Sequence, residues 1–306
     1  MRFNESQNHA PSPVHAGFRS LVRRAYQIRG IGLGRVCEFV RKWAASRWPG
    51  RVVLIDDFRG GLKFHCRLDE HMGSQIFWRG AYSGNQLDLL QQRLRSGATF
   101  FDIGANQGEF SVYAAHLVGP AGRVVAFEPV SALRDWLEKN VAANGLKNVA
   151  IQPVALGDQD AMLPIYGAPL AFDDGTDHAG LPTLHAMQGR EQRIEEVPVR
   201  RLDDLIESLG IERVDVMKLD IEGSEFAALR GAENLLVRFR PTIIFEVGRD
   251  TCAAAGYQPK QLLHWLAARG FRFALIGEGG ALRPLTDVDS LGVFQNILAM
   301  PVEDQV

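Results

Sequence analysis

The sequence predicts an α/β fold: a Rossmann-like, seven-stranded, mostly parallel sheet with its last strand antiparallel, helices on both faces, and an N-terminal helical and hairpin extension. Three observations predict it. Apolar strand-like runs alternate with segments of helical periodicity from residue 99 onward, one run enters a glycine-bearing turn, and two later runs end in carboxylates. Strands alternating with helices make crossover units, and these build a parallel sheet covered on both faces.

Residues 1–17 are polar and rich in Pro, His and Asn, the composition of a disordered tail. Residues 18–73 form a basic helical segment and a hairpin extension. The first fifty residues carry nine basic side chains against Glu5 and Glu38, a net +7, which leaves −9 for the rest of a chain whose total is −2. Val36, Phe39, Val40 and Trp43 recur at helical spacing among Arg35, Arg41 and Lys42, so this segment reads as a helix that packs on the main domain by its apolar side. A peripheral contact with a membrane or an acidic partner through residues 18–48 is the alternative use of the same pattern. Val52 to Ile55, Arg59-Gly60-Gly61 and Leu62 to Phe64 then read as a hairpin, and residues 74–95 as helical.

The main domain is expected over residues 74–306. Its strands are Thr99–Ile103, Val124–Phe127, Val149–Val154, Val214–Leu219, Thr242–Val247 and Phe271–Ile276. Val293–Met300 follows after too short a link for a crossover helix and is expected to return antiparallel. Residues 167–196 lack periodicity and read as an irregular insertion that acts as a lid. Cys37, Cys66 and Cys252 have no metal-ligand spacing and no disulfide pattern, so the expected setting is reduced and cytoplasmic. Export and membrane-spanning segments are not expected. Nucleic acid is not an expected partner, because the body of the chain is acidic.

The chemistry concentrates at strand ends. In Asp102-Ile103-Gly104-Ala105-Asn106-Gln107-Gly108, Gly104 permits a tight turn beside a ligand, Asn106 tolerates a left-handed conformation, and Gly108 lets the next helix start close to the strand. Asp102 closes the strand with a negative charge, which suits a cationic ligand better than a pyrophosphate. Glu128, in Phe127-Glu128-Pro129 at the end of the next strand, is placed to accept hydrogen bonds from a ribose diol. Asp220 and Glu222 stand two apart in Lys218-Leu219-Asp220-Ile221-Glu222-Gly223-Ser224-Glu225, and point the same way if the extended backbone persists. With Glu246 they would surround a reacting centre. A divalent cation on this cluster is possible chemistry and is ranked last.

These three runs, with Ala155-Leu156-Gly157-Asp158 as a fourth between them, resemble the FkbM family of methyltransferases from about Ser74 to Phe273. The resemblance implies S-adenosylmethionine as cofactor and a hydroxyl of a small molecule, sugar or glycan as acceptor. It places Asp102, Gly104, Asn106 and Gly108 around the methionine part and Glu128 with Pro129 at the ribose. Ala155, Leu156 and Asp158 would border the adenine, and Asp220 would face the methyl group. Gln86 departs from the acidic residue such proteins often carry there. Methyl transfer to a hydroxyl calls for a base, for which Glu222, Asp220, His178, His185 and Glu246 are the candidates. A nicotinamide-dependent oxidoreductase and a catalytically idle cofactor-binding scaffold are the competing readings. The sequence leaves the oligomeric state open.

Overall fold

The computed structural model describes residues 17, 19–23, 33–167, 176, 181–288 and 291–302. The expected tail lies outside them, apart from Gly17, as does His178. The chain enters through helix α1 (Leu33–Arg47) and an antiparallel hairpin of β1 (Val52–Phe58) and β2 (Leu62–Arg67). Two helices follow, α2 (His71–Arg79) and α3 (Gly84–Arg93), where the sequence predicts one. Gly80, at φ +92°, ends α2 in the left-handed conformation and turns the chain away.

The strand and helix alternation then begins: β3 (Thr99–Ile103), α4 (Glu109–Val118), β4 (Arg123–Phe127), α5 (Ser131–Ala143) and β5 (Val149–Gln152). After β6 (Ala155–Leu156), β7 (Ala161–Gly167) and β8 (Gln192–Arg200) come α6 (Leu202–Leu205) and β9 (Val216–Leu219). The last part holds α7 (Glu225–Arg230), α8 (Glu233–Phe239), β10 (Thr242–Gly248), α9 (Arg249–Ala254), α10 (Pro259–Ala267), β11 (Phe271–Ile276), β12 (Leu282–Leu285) and β13 (Phe294–Pro301).

The main sheet runs β5-β4-β3-β9-β10-β13-β11-β12. β5, β4, β3, β9 and β10 pair in parallel, and β13 inserts antiparallel between β10 and β11, as expected of the last strand. From β3 the chain first moves outward to β4 and β5 and later resumes on the other side at β9. The crevice over the carboxyl ends of β3 and β9 is therefore the switch point where open α/β sheets bind ligands. Consecutive residues of β3 serve opposite faces: Phe100 joins one core cluster with Trp78, Val112 and Leu298, and Phe101 joins the other with Met217, Phe245 and Leu263.

Three expectations are corrected. The sheet has an eighth strand, because Leu282–Leu285 pairs with β11 along the outer edge. Pro284 masks it in the sequence, yet an edge strand tolerates proline. The far end of the insertion is strand: Gln192–Glu196 belong to β8, which pairs antiparallel with β7 and, with β6, forms a separate three-stranded sheet. The charges of Arg193, Glu195 and Glu196 hide the strand, since the first half of β8 faces solvent. Residues 168–175 and 177–180 of that segment lie outside the described residues.

The third correction concerns α1. It packs by Cys37, Arg41, Ala44 and Ala45, while Val36, Phe39 and Trp43 point outward. Arg41 pairs with Glu38 at 2.9 Å and reaches towards Ser74 in α2. Upstream, Arg19 and Arg23 both pair with Asp57, and Arg23 donates to the carbonyls of Ile76 and Phe77 at the end of α2. Buried arginines thus help fasten the extension alongside Val22, Val40 and Trp48, while Val36, Phe39 and Trp43 are left free of that task.

Candidate active site

A cavity of about 560 Å³ opens at the switch point. Its floor is the β3–α4 turn. Gly104 has φ +78°, and a Cβ there would stand 2.1 Å from the carbonyl oxygen of Asp220. Asn106 also takes a left-handed conformation, at φ +52°, and Gly108 caps α4 at φ +93°, packed against Leu137. Gly104, Ala105 and Asn106 line the cavity, whereas Gly108 lies behind it, serving the helix–strand packing.

Glu128 lines the cavity beside Pro129. One carboxylate oxygen accepts from Asn106 N at 2.8 Å and the other from Val130 N at 2.9 Å. Burial pushes its pKa up to about 7, against the pull of those two backbone donors. Each oxygen keeps a lone pair for a hydroxyl donor. Because the ionised form accepts best, affinity for S-adenosylhomocysteine is expected to fall several-fold, up to about tenfold per unit, as the pH drops below 7. A calorimetric pH series on wild type and Glu128→Gln checks this, and the dependence should vanish in the variant.

Asp102 is fully buried and is not part of the cavity wall. It accepts from Ser111 Oγ at 2.6 Å, and its Oδ1 lies 3.6 Å from Lys218 Nζ without a hydrogen bond. The side chain that reaches the cavity from this spot is Lys218, to which the sequence reading gave no role. Lys218 donates to Gly104 O at 2.7 Å, stands 3.8 Å from Asp220, and lies over the Phe110 ring. Burial lowers its pKa, but Asp220, Asp102, Glu128 and Glu246 together outweigh burial and hold it above the ordinary lysine value. Lys218 therefore stays charged and ties β3 to β9 beneath the cavity.

Asp220, Glu222 and Glu246 offer carboxylate oxygens within 4.8 Å of one another. The route differs from the one expected, since β9 ends at Leu219 and Glu222 sits at φ +53°. Glu225 holds this turn by accepting from Ile221 N and Gly223 N, with Tyr257 OH at 3.3 Å. Arg190 pairs with Glu222 at 2.7 Å. Burial raises the pKa of Glu246, and the facing Asp220 and Glu222 raise it further, so the cluster retains a proton near neutral pH. These three are the residues that could hold a divalent cation. Lys218, Arg190 and the retained proton already balance most of their charge.

The remaining walls come from distant parts of the chain. Ile103, Phe127, Val154, Ala155 and Leu156 form an apolar side. Asp158 does not border it, because its carboxylate pairs with Arg230 at 2.5 Å. Tyr82, Ser83 and Gln86 close the N-terminal side, and buried Glu109 fixes them by accepting from Tyr82 N and Ser83 N. Leu181, Leu184, Met187 and Arg190 show that the described part of the insertion does wall the cavity. His185 is not in the wall; its Nε2 lies 3.2 Å from Ser224 Oγ, and burial lowers its pKa. Lys218, Glu109 and Arg190 had no separate signal in the sequence, because each acts through partners remote along the chain.

The model of the FkbM methyltransferase domain matches residues 102–273. Among curated relatives, the 31-O-demethyl-FK506 methyltransferase FkbM of Streptomyces tacrolimicus is 29% identical over 161 residues, 46% of this chain and 62% of that protein. The antimetabolite synthetase AmbE of Pseudomonas aeruginosa is 27% identical over 234 residues, 67% of this chain but 11% of the synthetase. The chain thus spans a tenth of one relative and about three-fifths of the other. A solved FkbM methyltransferase from Methylobacillus flagellatus aligns over 88% of this chain and 60% of its own, with 15% identity and a TM-score of 0.43.

Proposed function

The chain belongs to the FkbM family of methyltransferases and uses S-adenosylmethionine, and from that premise we propose that it methylates a hydroxyl group of a small molecule or glycan. The observation that carries this reading is the chemistry of one cavity: Glu128 and the Asp220, Glu222 and Glu246 carboxylates line it together with side chains from the insertion. The name of the Streptomyces relative, a methyltransferase of a 31-O-demethyl compound, supports an oxygen acceptor.

The residues present fit the cofactor. Gly104, left-handed and packed against the Asp220 carbonyl, forms the cavity floor, and Glu128 keeps lone pairs that suit the ribose hydroxyls. When bound, S-adenosylmethionine supplies an electrophilic methyl group on a sulfonium. Asp220 and its neighbours would hold that positive charge, and Lys218 keeps their own repulsion in check. Positioning an acceptor oxygen in line is the chief task of such a site, and a base must take the hydroxyl proton.

Glu246 is our choice of base among the cavity residues. The positive charge of a bound sulfonium would favour the ionised form of Glu246, whose raised pKa then makes it the stronger base, while Glu222 is engaged by Arg190. Glu246→Gln is expected to lower kcat by about 100-fold or more while leaving S-adenosylhomocysteine affinity within a factor of about two. Transfer of a labelled methyl group to a panel of hydroxyl acceptors checks it. A nitrogen- or carbon-methylated product, or full activity in the variant, would overturn the reading. Free, buried Cys37, Cys66 and Cys252 support a reducing, cytoplasmic setting.

A further inference from the structure

We propose that the outward face of α1 docks this protein onto an anionic lipid surface. Val36, Phe39 and Trp43 follow one another at the spacing of a single helix stripe and are 61%, 70% and 50% exposed, and Leu21 upstream is 65% exposed. The helix is inverted relative to an ordinary surface helix, which turns its large apolar residues inward. Here the inward side holds Cys37, Arg41, Ala44 and Ala45, so the outward stripe is not needed for packing.

Charge selects the occupant. Lys42 and Arg47 are exposed on the same helix, and residues 1–50 are net basic against −9 for the rest, even with Arg19, Arg23 and Arg41 taken up in ion pairs with Asp57 and Glu38. An anionic surface attracts this end and repels the body, which orients the molecule. A second copy seated on the same face would set the exposed Lys42 and Arg47 of one molecule against those of the other. Trp43 stacks edge-on against Trp48 at 5.5 Å, and the guanidinium of Arg51 lies over the Trp48 ring. Aromatic rings flanked by cations are the composition of a helix lying in the headgroup layer.

The test is flotation of the full chain with phosphatidylcholine vesicles, with and without phosphatidylserine. Binding is expected only with phosphatidylserine, and it should weaken as salt is added. Phe39→Ser combined with Trp43→Ser should reduce it about tenfold or more, as should Lys42→Glu with Arg47→Glu, with thermal stability and S-adenosylhomocysteine binding unchanged. Absence of binding to anionic vesicles, or binding by either variant equal to that of wild type, overturns the proposal. So does a wild-type dimer in light scattering that the Phe39→Ser, Trp43→Ser variant turns into monomers, because a second copy would then be the occupant.

Discussion

Gly104→Ala is expected to abolish measurable cofactor binding while leaving the fold in place. An L-residue at φ +78° costs about 1–2 kcal/mol, but the larger effect is steric. The new Cβ would lie 2.1 Å from the carbonyl oxygen of Asp220 and 2.9 Å from Ile221, and a backbone carbonyl has little room to yield. The turn must move away from β9, carrying with it the Gly104 carbonyl that Lys218 holds. A loss of about 100-fold or more in S-adenosylhomocysteine affinity, near 3 kcal/mol, is expected by calorimetry. Circular dichroism of the variant should match wild type. Affinity within a few-fold of wild type would show that the cofactor does not rest on this turn.

Lys218→Met is expected to act on stability instead. The lysine is 5% exposed and stands between Asp102 and Asp220, with Glu246 and Glu128 near enough to raise its pKa. Removing one partner from a buried charge cluster leaves the others uncompensated, at a cost of about 3–5 kcal/mol. For a domain of this size, the melting temperature should fall by roughly 10 °C. The pH dependence has a defined sign. Asp102 and Glu246 already have folded-state pKa values raised above the unfolded ones, chiefly by burial, and Lys218 opposes that rise. Without it they rise further. A raised carboxylate contributes stability below its unfolded pKa and loses it as pH climbs through the folded value. The deficit of the variant should therefore be largest at neutral pH and above, and shrink towards pH 5. Thermal melts across that range check it.

These two residues also mark what the sequence could reveal. Gly104 was legible because a strand, a glycine turn and a helix are adjacent in the chain, so local pattern and local chemistry coincide. The same holds for Glu128 and for the antiparallel return of β13. Lys218 was not legible as a functional residue. Its significance lies in Asp102, more than a hundred residues earlier, and in Glu246 on the next strand. Asp102 was misjudged for the same reason: a strand-end carboxylate looks ligand-facing until the lysine in front of it is seen. His185 and Asp158 were drawn off by Ser224 and Arg230, partners no linear spacing announces. The orientation of α1 was lost in another way. Its hydrophobic periodicity identifies a helix correctly, but the period does not say which side faces the protein, and the buried arginines decided that.

The most direct test of the site is calorimetric titration with S-adenosylhomocysteine, with NADH alongside, on wild type and Glu128→Gln. Saturable binding of S-adenosylhomocysteine, weakened about tenfold or more by the loss of a charged acceptor, with no binding of NADH, is the expected result. Binding of NADH, or S-adenosylhomocysteine affinity unaltered in Glu128→Gln, would contradict the placement of the cofactor in this cavity.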